Sequence, residues 1–378
     1  MPPNLCDPNH TLLRDHDVLE FTHIPEQFNY RDAQMKDLAF SLRPGLHGAS
    51  PVNTVLRGLP GTGKTTSVKT IFAEAEETTK RILPVYVNCH SEKTLFAVLS
   101  RIHAELFGHS PPPLGNPRRD LLDHIGTALV ERNIVLSVCL DDANYLLPDK
   151  VLNSVLSTIL RIYETYPGAK SGVIATVSNT DTDFFKELDP SVMSVFRPME
   201  IIFPSYSPEE IHSILKERAT RAFYPGALPG QVLDDIADRT SSCGDLRVGL
   251  DLLRRAAMLA DREGVKAIGT QHVDAAFEFS KYVQMEHLAG MLNEPELSLL
   301  THIARLILQD PDSPLTTGML FESAQLEMPI SYTSFYKRIR KFDEMRLINV
   351  HHGNTGFRGK SREITLRYDP KKVIEVCG

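Results

Sequence analysis

The chain has 378 residues, 42% of them hydrophobic and 24% charged, ordinary proportions for a globular protein of two or three domains. No apolar run approaches the roughly 20 residues that span a bilayer, and the opening MPPNLCDPNH lacks the basic segment and apolar core of a signal peptide, so a cytoplasmic protein with no membrane partner is expected. The net charge of −7 hides an asymmetry: from Ser331 to Lys372 eleven Lys and Arg stand against four Asp and Glu, leaving thirty basic against forty-four acidic residues elsewhere. A basic end on an acidic body fits a chain that meets a phosphate backbone with one domain only. The five cysteines (Cys6, Cys89, Cys139, Cys243, Cys377) are far apart and form no C-x-x-C pair, which reads as free thiols in a reducing compartment. The histidines show no H-E-x-x-H spacing, and the adjacent His351 and His352 fall in an expected hairpin loop, so no histidine metal site is expected.

In chain order, an irregular arm leads to a helix over IPEQFNYRDAQMKDLAFSLRP, with Met35, Leu38, Ala39 and Leu42 on one face and a stop near Pro44 and Gly45. Val52–Leu56 reads as a buried strand. It is followed by GLPGTGKTT, Gly58 to Thr66, which fits the phosphate-loop pattern of a glycine, four residues, then Gly63, Lys64 and Thr65. Val68, Ile71 and Phe72 then recur at helical spacing. Strand, loop and helix are the context this chemistry needs. Gly58, Gly61 and Gly63 let the amides of Thr62, Lys64, Thr65 and Thr66 close around phosphate oxygens at a helix start. Lys64 reaches the outer phosphates and the Thr65 hydroxyl holds magnesium. A nucleoside triphosphate site, with ATP or ADP and Mg2+ as cofactors, is therefore expected.

Ile82–Asn88 reads as a second strand, His90–Phe107 as a helix ended by Gly108, and Leu121–Val130 as another. Ile134–Leu140 forms a central strand ending in Asp141 and Asp142. An acid at the end of such a strand, about 75 residues after a phosphate loop, holds the magnesium (Asp141), and its neighbour orients the attacking water (Asp142). Ser171–Thr180 is a further strand ending in Asn179, a residue that either senses the terminal phosphate or caps the strand. Met199–Phe203 makes the fifth strand. Strands alternating with helices imply a parallel sheet covered on both faces.

After FPSY, Ser207 caps a helix, Pro208 occupies its first turn and Glu210 completes a capping box. From there to about residue 283 only helices appear, a composition that marks a small lid. One of them, CGDLRVGLDLLRRAAMLA, sets Leu246, Leu250, Leu253 and Ala257 on a core face and Arg247, Asp251 and Arg254 on another. An arginine carried on a lid can close on a triphosphate; Arg247 as a solvated helix charge is the alternative. From about Asn293 two helices precede a basic third, SYTSFYKRIRKFDEMRLI, with Phe335, Ile339 and Phe342 inward and Lys337, Arg338, Arg340 and Lys341 outward. Two strands follow, joined by a glycine-rich loop with Arg358, Lys360 and Arg362. This is the order of a winged helix, whose third helix enters a major groove while the hairpin lies against phosphates or the minor groove; a protein-docking role for the same module stays open.

These residues together resemble the archaeal origin-recognition and helicase-loader proteins, AAA+ ATPases related to the largest subunit of the eukaryotic origin recognition complex. The likeness runs from IPEQFNYRDAQ through GLPGTGKTT, LDDANYL, VSNT, FPSYSPEEIHSILKERA and GDLRVGLDLLRRA to GNTGFRGKSREITL. It implies an AAA+ core with a five-stranded parallel sheet over residues 1–206, a helical lid over 207–283 and a winged-helix domain over 284–378. It implies Asn179 as a first sensor and Arg247 as a second, Tyr206 and Arg218 near the nucleotide, and Arg31 near its base. The stretch around Ser91–Gly115 matches an insertion that also touches DNA. The implied partners are double-stranded origin DNA, a replicative helicase and a paralogous initiator, on a nucleoid-associated protein. The chain departs from the pattern twice. The acid pair is Asp-Asp rather than Asp-Glu, and Ser191 stands where the family carries an arginine that acts in trans, with Arg197 the one substitute nearby in sequence. Tight ATP binding with slow hydrolysis, used as a switch, is the expected outcome. Alternative readings are a regulatory paralogue and an AAA+ ATPase whose winged helix docks protein.

Overall fold

The computed structural model describes residues 11–25, 29–111, 118–147, 150–178, 184–311, 313–352 and 362–378. It falls into two compact units, Ile24–Ser205, and Tyr206–Gly378 together with the N-terminal residues up to His23. Among the described residues, no helix is long and apolar enough to cross a membrane.

The first unit alternates helices and strands: α1 (Asp32–Leu46), β1 (Thr54–Arg57), α2 (Lys64–Thr78), β2 (Ile82–Asn88), α3 (Leu95–Phe107), α4 (Arg118–Glu131), β3 (Val135–Asp141), α5 (Val151–Leu160), α6 (Ile162–Thr165), β4 (Lys170–Val177), α7 (Pro190–Phe196) and β5 (Met199–Ile202). All five strands form one sheet in the order β2-β3-β4-β1-β5, every pair parallel, as the alternation of strands and helices requires. The apolar run before the phosphate loop is longer than its strand. Val52 gives its N–H to Ser41 O at 2.8 Å, and the Asn53 amide donates to Phe196 O at 2.6 Å while its oxygen accepts from Val173 N at 2.9 Å. Those two residues are thus tied to neighbours before pairing begins at Thr54.

Successive strand residues point to opposite faces. On one face Val55, Val85, Val87, Leu136, Val138, Leu140, Val173 and Val177 pack with residues of α3, α4, α5 and α7; on the other, Leu56, Cys139, Ile174 and Ile201 pack with α1 and α2. Burial on both faces is why these strands read as continuous apolar runs rather than alternating ones. The arrangement sets the loop after β1 and the acid ending β3 at the carboxyl edge of the sheet, where open α/β sheets bind ligands.

The second unit is helical, then mixed: α8 (Pro208–Ala222), α9 (Gly230–Cys243), α10 (Leu246–Glu263), α11 (Thr270–Ala289), α12 (Glu294–Gln309), α13 (Thr317–Glu327), α14 (Tyr332–Glu344), β6 (Ile348–His352), β7 (Arg362–Leu366) and α15 (Pro370–Cys377). The capping box read at Ser207 is present: Ser207 N donates to Glu210 Oε2 at 2.9 Å and Glu210 N to Ser207 Oγ at 3.2 Å. Leu12, Leu13, Val18 and Leu19 of the N-terminal arm lie in the core that α8, α9 and α10 form, with Arg14 N donating to Ala222 O and Leu12 N to Asp261 Oδ1. Three helices precede an antiparallel β6–β7 hairpin, as read. His351 and His352 belong to β6 rather than to the loop after it. The closing helix α15, packed on α12 and α11, had not been read from the sequence.

The α9–α10 turn is gripped by two arginines from the C-terminal part of this unit. Arg346, held at φ 56°, donates to the carbonyls of Ser241 and Ser242, and Arg367 donates to Ser242 O at 2.6 Å. Gly244 ends α9 at φ 74°, and a Cβ there would meet Arg346 Nε at 2.6 Å. Gly244→Ala therefore carries a left-handed backbone cost of about 1–2 kcal/mol and displaces the Arg346 side chain. Urea unfolding is expected to show a lower midpoint with an unchanged slope; an unchanged midpoint would show that the contact is dispensable.

Candidate functional site

The phosphate loop is shaped by its glycines and by Arg31. Gly61 and Gly63 take φ values of 74° and 92°. A Cβ on Gly58 would meet Phe203 O at 2.3 Å, so only glycine fits beside the end of β5. Arg31 is 2% exposed. Its guanidinium donates to Thr62 O at 3.0 Å, Pro204 O at 2.7 Å and Tyr30 O at 2.9 Å, and lies 5.9 Å from the Phe203 ring centroid. It thereby ties the loop to the segment after β5. Thr62 Oγ1 closes the turn onto Leu59 O at 2.8 Å. Lys64 and Thr65 open α2, and Thr66 lies in the same first turn, whose amides point toward the phosphate loop. Lys64 Nζ folds back onto Gly58 O at 2.7 Å and Leu59 O at 2.9 Å.

Asp141 is buried at the end of β3. Its carboxylate accepts from Thr65 Oγ1 at 2.9 and 3.1 Å, Thr176 Oγ1 at 2.7 Å and the Tyr86 hydroxyl at 2.6 Å. Burial first, and Asp141 next, push the Tyr86 pKa far above its ordinary value, so its hydroxyl stays a donor. Burial likewise raises the thiol pKa of Cys89 and Cys139, leaving both protonated and unreactive. Asp142 stands at φ 54°; its N–H goes to Thr176 Oγ1 at 2.8 Å and its carboxylate accepts from Ser178 Oγ at 2.5 Å. Thr65 and Asp141 bring two hard oxygens together. Among the described residues, no three His, Cys, Asp or Glu converge on one point. That donor set suits Mg2+, which takes one or two protein oxygens and fills its shell with water and phosphate. Tyr86, Thr176 and Ser178 were missed in the sequence, where nothing local marks them: each lies 35 or more residues from the acid it meets. Asn179 lies outside the described residues.

In the helical unit, Asp245 caps α10 by accepting from Arg247 N at 2.9 Å, and the Arg247 guanidinium returns to the same carboxylate at 2.6 to 3.1 Å. Arg218 donates to Val18 O at 3.0 Å and His23 O at 3.5 Å, holding the N-terminal arm. Burial lowers its pKa. Tyr206 sits in the apolar core of that unit. Arg197 caps α7 at φ 34°; in space Ser191 is also met by Arg161, thirty residues earlier in sequence, which donates to Ser191 O at 2.9 Å.

On α14, Lys337 and Arg340 are exposed, and Arg338 is half-buried with Nη1 donating to Pro295 O at 3.3 Å. Lys341 departs from the outward position read for it. It is 5% exposed, and its ammonium is held by both Glu296 oxygens at 3.0 Å in a buried ion pair between α14 and α12. Lys341 lies well off the face that holds Phe335, Ile339 and Phe342, so periodicity alone turns it outward; α12 packs against that side as well, where Arg338 reaches Pro295 O and Glu296 meets the lysine. Arg362 is exposed at the start of β7; Arg358 and Lys360 lie outside the described residues.

Comparison with known proteins places the chain. Residues 212–278 match the Cdc6 AAA+ ATPase-type lid domain, and residues 50–175 match an AAA domain. ORC1-type DNA replication protein 3 of Haloarcula marismortui is 40% identical over 97% of this chain and 96% of its own length. ORC1-type DNA replication protein 2 of Methanothermobacter thermautotrophicus is 38% identical over 97% and 95%. The chain belongs to the ORC1-type DNA replication proteins. The fold agrees: the Aeropyrum pernix ORC1 protein, solved in complex with DNA, is 25% identical with a TM-score of 0.64 over 97% of this chain and 96% of its own. The A. pernix ORC2 protein in its ADPNP-ADP complexes has a TM-score of 0.75 at 22% identity over 97% of each chain.

In this ORC1-type chain the burial of Lys341 separates two kinds of basic residue on one helix. Lys341→Ala strands the Glu296 charge and is expected to cost about 3–5 kcal/mol of stability, whereas Lys337→Ala should leave thermal unfolding unchanged. Equal melting temperatures for the two variants would contradict the inward placement.

Proposed function

We propose that the chain is an ATP-switched replication initiator that binds duplex DNA at an origin and helps load the replicative helicase. The observation that carries the nucleotide half is the contact of Thr65 with Asp141 beside a glycine-shaped loop ending in Lys64. In this reading a triphosphate lies along the amides of Gly61 to Thr66, and Lys64 leaves the Gly58 and Leu59 carbonyls for phosphate oxygens. Thr65 and Asp141 would hold Mg2+, which would supply charge neutralisation on the phosphates. Tyr86 and Thr176 keep Asp141 aimed by hydrogen bonds to its carboxylate. Asn179 and Arg247 are the first and second sensors that the family resemblance implies.

Asp142 serves as the base. Its carboxylate is shorter than glutamate by one C–C bond, about 1.5 Å, and a misplacement of about 1 Å costs about a hundredfold in rate. Its bond to Ser178 holds it further in place. Hydrolysis is therefore slow and the bound nucleotide sets a state rather than driving a cycle. Turnover is expected below about 1 per second, against about 10 for a typical enzyme. Asp142→Glu should raise it by about tenfold or more, and Lys64→Ala should abolish nucleotide binding. An unaltered rate in Asp142→Glu would remove the retracted base as the limiting feature.

The DNA half is supported by the exposed Lys337 and Arg340 on α14 with Arg362 on the adjoining hairpin, read as a winged helix. Cations in contact with phosphates release counterions, so affinity should fall steeply with salt. Arg340→Ala is expected to weaken binding to all duplexes alike and to lower the salt slope by about 1. Fluorescence anisotropy on duplexes across a salt series, with and without ATP, measures both; a flat salt response would favour a protein-docking module instead.

A further inference from the structure

The first two turns of α14 carry an aromatic arrangement that core packing does not account for. Tyr332 is 62% exposed, yet its ring is fixed on two sides. It meets Phe321 edge-on, with centroids 5.4 Å apart at 88°, and lies 4.5 Å from Tyr336 at 50°. Phe321 rests in turn on the fully buried Phe335 at 5.1 Å, so a continuous stack runs from the core to the surface. A hydrogen bond with the Tyr336 phenol raises the Tyr332 pKa, while Arg362 pulls it the other way, so the ring is neutral and Arg362 is within electrostatic reach. Thr333, Ser334, Lys337 and Arg340 are exposed around it, and from Ser331 to Phe342 there is no carboxylate.

A rigid apolar edge set among hydroxyls and cations, on a stretch of helix without acids, is complementary to a groove lined by phosphates. In the major groove the apolar group at a base edge is the C5-methyl of thymine. We infer that Tyr332, backed by Tyr336, is a specificity-determining residue that packs its ring against a thymine methyl while Lys337, Arg340 and Arg362 meet the flanking phosphates. The stack anchored on Phe335 is what makes this a readout rather than a loose contact, because a preorganised side chain loses little rotamer freedom on binding. This inference rests on the duplex-binding reading above.

The test selects duplexes from a random-sequence pool with the full chain and with Tyr332→Ala, Tyr332→Phe and Lys337→Ala. Each thymine of the duplex selected by the full chain is then replaced in turn by deoxyuridine, which removes the methyl and keeps the pairing. One such replacement is expected to weaken binding of the full chain and of Tyr332→Phe by about fourfold, the worth of one buried methyl. Tyr332→Ala should bind the thymine duplex more weakly, be indifferent to that replacement and select a motif degenerate at that position. Lys337→Ala should lower every affinity equally and keep the sensitivity. Salt-dependent binding by the full chain with no response to any deoxyuridine, or a Tyr332→Ala protein that keeps the motif and the response, overturns the inference alone. No duplex binding at low salt overturns the duplex reading and this inference with it.

Discussion

A carboxylate at the end of a strand buried on both faces must be solvated by the protein itself. Asp141 meets that requirement with three hydroxyls, from Thr65, Thr176 and Tyr86, each on a different element: the helix after the phosphate loop, β4 and β2. Leaving such a group unsatisfied costs more than most single contacts supply. The acid therefore fixes how three elements meet at the carboxyl edge of the sheet. The phosphate loop is positioned from the other side by Arg31, which reaches both Thr62 and Pro204. Loop and acid are thus set by different residues, and the Thr65–Asp141 contact is where the two meet.

Much of this was legible because its chemistry is local. The glycines at 58, 61 and 63, the lysine and threonine after them and the apolar strand ending in acid are each defined within a few residues. β2 matched residue for residue, since a run rich in Ile and Val that starts after Arg81 and ends in Asn88 is too short for a helix. Strand β1 begins at Thr54, after Val52 and Asn53, whose bonds to Ser41, Phe196 and Val173 are tertiary and leave no local pattern. Tyr86, Thr176 and Ser178 were invisible for a similar reason: strands adjacent in the sheet are far apart in sequence.

The basic helix shows the opposite limit. Periodicity alone put four cations on one face of α14, but Glu296, forty-five residues away, draws Lys341 inside. Charge counts along a segment overstate its exposed charge whenever a distant carboxylate is in range. The same distance hid the N-terminal arm's attachment, where Arg218 and Asp261 hold a segment some two hundred residues earlier.

Arg346 and Arg367 fasten onto the carbonyl oxygens of Ser241 and Ser242, groups that every residue possesses. Sequence at those two lid positions can drift without loosening the attachment, while the glycine beside them cannot. Any C-terminal segment that kept the two arginines in place would keep these bonds, whatever side chains stood at 241 and 242.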